Sequence, residues 1–235
     1  MICYWFRKIM NISIEISGLP RNIDNSYKWL KESILDVLSN NGHAYNIFLS
    51  TWQDQDTQKF VDVFKPVVHE VDIWDDEMIE KLGWPRLKKY DVATRPNLLG
   101  MFYKIYKCNE LRKKYEVENN INYDIIIRTR TELRFNNIID LKELEILNNN
   151  QDKPIIFLRK GPNPQHIGER AWTKDNFSIM NRLGVEIYCD CHNHVIEISN
   201  RDRLGTAELI LRNWLYDHKD LIVEHTSLDY TIIRN

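Results

Sequence analysis

The chain has 235 residues, 43% of them hydrophobic and 28% charged, enough for one α/β domain with a substantial core and too few for two domains of ordinary size. The formal net charge of −2 excludes a global field for nucleic acid or anionic lipid, so any anionic ligand must be held by locally placed Arg and Lys. Four cysteines (Cys3, Cys108, Cys189 and Cys191) do not make a disulfide framework, and a cytoplasmic, reducing setting is the expectation.

Residues 1–10 read as an N-terminal extension, too short to span a bilayer, and no later run reaches transmembrane length. Residues 11–17 alternate strictly, with Ile12, Ile14 and Ile16 on one face, which predicts a strand. It ends in the breaker-rich turn Ser17-Gly18-Leu19-Pro20-Arg21-Asn22. A helix is expected from about Asp24 to Asn40-Asn41-Gly42, with Leu30, Ile34, Val37 and Leu38 on one stripe. Strands follow at Tyr45–Trp52 and Pro66–Ile73. Residues 75–95 read as a loop with a short helix, and Asn97 to about Tyr115 as a helix carrying Leu98, Met101, Phe102, Ile105 and Cys108. The three isoleucines in Tyr123–Arg130 predict a strand buried on both faces, hence central.

Downstream, Pro154–Lys160 reads as a strand and Gly161–Arg170 as an exposed loop. Strand-like pieces are expected at Phe177–Met180, Val185–Cys189 and Val195–Ile198, then a helix over Thr206–His218 and a last strand at Thr231–Arg234. The βαβ rhythm implies one mixed, mainly parallel sheet flanked by helices.

The most telling segment is Ile125–Phe135, where a buried strand turns abruptly polar at its carboxyl end. Ligands of open parallel sheets sit beyond such ends. Arg128 and Arg130 suit bidentate phosphate contacts, and Glu132 suits a cation, although a surface ion-paired strand end would use the same residues. Ser17, Gly18 and Arg21 end the first strand: Gly18 lets backbone approach a ligand and Arg21 can meet phosphate, while an ordinary strand-to-helix turn is the bland reading. Thr51 and Trp52 end the second strand at the same edge, and Trp52 serves either a base-stacking role or the core. Asp54-Gln55-Asp56 and Asp75-Asp76 read as solvated loop acids. Cys189-Asp190-Cys191-His192-Asn193-His194 gathers thiols and imidazoles without the paired Cys-x2-Cys spacing of structural zinc sites, and reads instead as strand and turn.

The string YDIIIRTRTELRF resembles a segment, Tyr-Asp-hydrophobic run-Arg-x-Arg-x-Asp-Leu-x-Phe, of glycosyltransferase-like proteins from polysaccharide gene clusters and large DNA viruses. SGLPRN is similar to their Ser-Gly-x-x-Arg turn, the stretch beginning at Asn97 (NLLGMFYKIYKCNELRKKYE) to the preceding helix, DNFSIM at Asp175–Met180 to their Asp-x-Phe element, and AELILRNWL, with Glu208, to a late helix. The similarity covers roughly residues 11–234 and rests on the order of the motifs.

The resemblance implies a GT-A-type fold over 11–235 that moves a sugar from a nucleotide-sugar donor to a glycan or other hydroxyl acceptor. It implies donor contacts at Ser17, Gly18, Arg21, Thr51, Asn97, Arg128 and Arg130, and Asp175 or Glu208 as the carboxylate base. Where GT-A enzymes carry Asp-x-Asp, this chain has Arg130-Thr131-Glu132, one acid rather than two. Either Mn²⁺ or Mg²⁺ on Glu132, or the arginines in its place, would then face the phosphates. A glycan- or partner-binding domain without turnover, and a metal-dependent phosphoesterase using Asp54, Asp56 and Glu132, are the alternative functions.

Overall fold

The computed structural model describes residues 9–86, 96–160 and 173–233; the loop expected at Gly161–Arg170 and most of the N-terminal extension lie outside the described residues. Met10, assigned to the extension, instead joins the core: its side chain is buried and its carbonyl accepts from Ala44 N at 3.1 Å.

The chain runs β1 (Asn11–Gly18), α1 (Ile23–Leu30), a π-helical turn (Lys31–Leu35), α2 (Asp36–Asn40), β2 (Ala44–Trp52), α3 (Thr57–Phe64), β3 (Val68–Asp72), α4 (Asp76–Lys81) and α5 (Pro96–Asn119). It continues β4 (Ile125–Thr129), β5 (Leu133–Phe135), α6 (Leu141–Asn149), β6 (Ile155–Lys160), β7 (Thr173–Asn181), α7 (Arg182–Asp202), α8 (Ala207–Asp217), β8 (Ile222–His225) and β9 (Tyr230–Ile232). The main sheet has seven strands in the order β3-β2-β1-β4-β7-β6-β8, and β5 pairs with β9 in a separate ribbon. All main-sheet pairs are parallel except those made by β7, which runs against both β4 and β6. The expected mixed, mainly parallel sheet with the Ile125–Ile127 strand at its centre is what forms.

Alternation divides the core between the two faces of this sheet. Ile12, Ile14, Ile16, Ile125 and Ile127 pack under α1, α2, α3 and α6, whereas Ile126, Ile156, Leu158 and Met180 pack under α5, α7 and α8. Both faces are covered, so β4 is apolar at consecutive positions, as a doubly buried strand must be. The second face of β1 is polar yet buried: Ser13, Glu15 and Ser17 all point into protein.

A second expectation is overturned as well. Val185–Cys189 and Val195–Ile198 are not strands but parts of the 21-residue helix α7. Its buried residues, Val185, Tyr188, Cys189, Val195, Ile198 and Ser199, recur at helical spacing, and Asn181 caps it by accepting from Gly184 N at 2.9 Å. Gly184 is required there, since an added Cβ would lie 2.4 Å from the Ile155 carbonyl oxygen. Cys189 and Cys191 are therefore buried helix residues; His192 stacks on Tyr106 and His194 on Trp214. Among the described residues no group of three or more His, Cys, Asp or Glu is arranged to hold a metal ion.

Candidate functional site at the carboxyl edge

Six of the seven main-sheet strands end at the same edge, and β7 begins there; the ends of β1 to β4 and the start of α5 open onto a crevice. A cavity of about 420 Å³ opens in it, lined by Ser17, Gly18, Leu19, Arg21, Trp52, Gln53, Trp74, Asn97, Gly100, Met101 and Arg130. Five of the expected donor-site residues, Ser17, Gly18, Arg21, Asn97 and Arg130, thus meet in one hollow. Thr51 stands behind it, its hydroxyl donating to Gly18 O at 2.7 Å and fixing the end of β1. Gly18 has φ 121°, a conformation side chains rarely adopt, so the turn leaves β1 at an angle other residues would strain to reach.

The hollow has two chemically different ends. At one, the Trp52 ring sits 4.7 Å from Trp74 and 5.8 Å from Tyr103, with Lys104 Nζ 4.4 Å from its centroid. Lys104 is wholly buried and pairs with Asp72; burial pulls its ammonium below the usual lysine range against that partner. Gly100 permits this packing, because a Cβ there would come 2.6 Å from Trp74 and 3.2 Å from Trp52.

At the other end, the guanidiniums of Arg21 and Arg130 converge on Glu132. Arg21 Nη1 bonds Oε1, and Arg130 Nη2 reaches Oε2 at 2.9 Å. Arg130 Nη1 also donates to Asn176 Oδ1 at 3.1 Å and stands 4.0 Å from Asp175 Oδ2. The turn is tied to this strand end by Thr131 donating to Leu19 O at 2.8 Å and by Ser26 donating to Thr131 O.

Arg128 lies one layer deeper. It is 1% exposed, and its nearest partner is Ser17 Oγ, 3.5 Å from Nη2; its Nε and Nη1 are buried without a hydrogen-bond acceptor among the described residues. Glu208 stands apart from this cluster, half-buried in the first turn of α8 and outside the cavity lining. Asp54 and Asp56 lie exposed in the β2–α3 loop, and Asp75 caps α4 by accepting from Met78 N at 2.9 Å.

Gln53, Trp74, Gly100 and Met101 line the hollow without having been singled out for it. The only sequence signal for Trp74 is an aromatic just past the end of a predicted strand at the ligand-bearing edge.

No protein-family model and no curated protein matches the chain. Among solved structures, it is similar to a Bacillus anthracis protein assigned as a glucose-1-phosphate thymidylyltransferase, crystallised in complex with sucrose. The two share 13% identity over 94% of this chain and 89% of the other, with a TM-score of 0.43. A likeness at that level identifies neither a family nor a chemistry. Among the described residues, no helix is long and apolar enough to cross a membrane.

Proposed function

We propose that the chain is a nucleotide-sugar-dependent glycosyltransferase whose donor lies in this hollow. The observation that carries the reading is the polarity of the hollow: an aromatic wall at one end and paired guanidiniums at the other. A nucleoside diphosphate has the same two ends, a planar ring that stacks and a diphosphate that needs bidentate cationic donors. The motif order that resembles GT-A-type glycosyltransferases supports the same assignment, with Ser17, Arg21, Asn97 and Arg130 as donor contacts.

In transfer, the acceptor oxygen forms a bond to the anomeric carbon while the bond from that carbon to the phosphate oxygen breaks. The electron pair leaves with the nucleoside diphosphate, whose charge grows at the arginine end. Preorganised charge aimed at such a leaving group is often the largest catalytic contribution. Asp175, buried at the start of β7 and 4.0 Å from Arg130, is the acid we assign to take the acceptor proton; like Glu208 it lies outside the cavity lining, but it alone stands beside the arginine cluster.

The test is a melting-temperature screen against UDP-, GDP-, CMP- and dTDP-sugars, with and without Mn²⁺, followed by turnover with hydroxyl acceptors for the stabilising donor. A bound donor raises the melting point by mass action. Stabilisation followed by release of nucleoside diphosphate only when acceptor is present supports transfer. Stabilisation without turnover on any acceptor supports a binding domain instead, and no stabilisation by any nucleotide sugar rejects the proposal.

A further inference from the structure

A divalent cation is the common counter-charge for a diphosphate, and Glu132 is the acid left at the motif position to hold one. The donor set does not fit a resident cation. Both oxygens of Glu132 already accept from guanidiniums, one from Arg21 and one from Arg130. The other carboxylate at this end, Asp175, faces Arg130 as well. Two arginines thus occupy the two acids, and a third, Arg128, is buried one layer deeper with two nitrogens unpartnered among the described residues. A buried cation without a compensating anion is costly, by several kcal/mol in general, so its retention calls for an anion that arrives from outside.

We infer that guanidiniums take the place of the cation at this site. Arg21 and Arg130, both held in the cavity wall by Glu132, contact the diphosphate directly. Arg128 compensates it from behind: its Nη2 donates toward Ser17 Oγ, which leaves the Ser17 hydroxyl proton free to donate into the cavity. Glu132 is then a positioning residue for two arginines rather than a metal ligand. Because guanidinium stays charged across the working pH range, the anion site needs neither metal nor a proton uptake. The inference rests on the donor reading above for its ligand, though its probe is simpler.

The probe is inorganic pyrophosphate, titrated calorimetrically into the full chain in EDTA and, separately, in Mg²⁺. Binding in EDTA at least as tight as in Mg²⁺ is expected, because Mg²⁺ complexes free pyrophosphate in solution and the site does not need the cation. Arg128→Met should weaken pyrophosphate about tenfold or more, the scale of one charge-assisted contact. The same substitution should leave the unliganded melting temperature unchanged or raise it by about 2–4 °C, because it removes an uncompensated buried charge. Glu132→Gln should weaken pyrophosphate equally in EDTA and Mg²⁺, whereas loss of a metal ligand would weaken it in Mg²⁺ alone. Binding seen only with Mg²⁺, wild-type affinity in Arg128→Met, or no pyrophosphate binding in either buffer overturns the inference. If pyrophosphate behaves as expected but no nucleotide sugar stabilises the protein, the donor reading falls and the anion site stands.

Discussion

Two arginines are buried on the same face of the sheet, each 1% exposed, and they live in opposite circumstances. Arg112, from α5, is saturated: Nε reaches Glu15 at 3.0 Å, Nη1 reaches Glu116 at 2.6 Å, and Nη2 bonds Asn109 with Glu186 beyond. Arg128, from β4, stands in register with Glu15 on β1, yet Glu15 is committed to Arg112. Arg128 is left with a long contact to Ser17. Arg112 is neutralised inside the fold, whereas Arg128 has no acid partner among the described residues, and the inferred anion would supply one. Sequence alone presents the two as equals; only the packing tells them apart.

The largest effect should come from breaking the saturated member. Arg112→Met strands Glu15 and Glu116 in the interior and should cost about 3–5 kcal/mol in urea denaturation, the scale for removing one partner of a buried ion pair. A loss below about 1 kcal/mol would show that these acids find other partners; for Glu116, Arg182 Nη1 at 2.5 Å is the candidate.

Next in size, Gly100→Ala drives a methyl into the Trp74 ring and should lower stability by about 1–3 kcal/mol through overpacking. It should also weaken donor binding, because Trp74 is half of the aromatic wall. Unaltered melting and unaltered donor affinity would mean that the wall yields freely and does not shape the site.

A pH comparison sharpens the picture of Arg112 further. Burial raises the Glu15 carboxyl from 4.5 to about 7, and the pull of Arg112 only partly opposes it. A folded pKa above the unfolded one means the native state binds the proton more tightly. The Glu15 contribution to stability is therefore fully present below about pH 4.5 and lost as pH rises to about 7. Glu15→Gln should flatten the stability profile in that window, measured by urea melts at half-unit intervals. An identical slope in the variant would place the titration elsewhere.

The smallest stability change, and one of opposite sign, is expected for Arg128→Met: neutral or stabilising by about 1 kcal/mol. Destabilisation on the scale of Arg112→Met would mean that Arg128 is as structural as its counterpart, and the contrast would collapse.

Much of the architecture was legible because periodicity reports burial. The alternation of Ile12, Ile14 and Ile16, the stripe from Leu30 to Leu38 and the unbroken Ile125–Ile127 run each state which faces are covered, and the central placement of β4 follows. What failed has equally physical causes. The stretch Val185–Ile198 is rich in residues that favour strands, but its burial recurs at 3 and 4, a period carried partly by Cys189 and Cys191 and broken by the polar run His192–His194. The short helices Thr57–Phe64 and Leu141–Asn149 went unread because each offers only two turns of pattern. The reversed direction of β7 leaves no local mark, since direction is a property of pairing.

For the site, the rule that ligands gather beyond carboxyl ends sufficed to bring Ser17, Gly18, Arg21 and Arg130 together. It could not reveal that Glu132 is occupied by Arg21, 111 positions away, or that α5 supplies the arginine that leaves Arg128 unpaired. Those facts belong to the packing of distant segments.

The central claim, that guanidiniums at this edge stabilise a departing nucleoside diphosphate, meets its most direct test in the turnover of Arg130→Ala. With the stabilising nucleotide sugar at saturation, release of nucleoside diphosphate in the presence of acceptor should fall by about 10²-fold or more, the scale for removing one charge-stabilising donor. Turnover and donor affinity equal to wild type would contradict the account and return Arg130 to the standing of a surface ion pair.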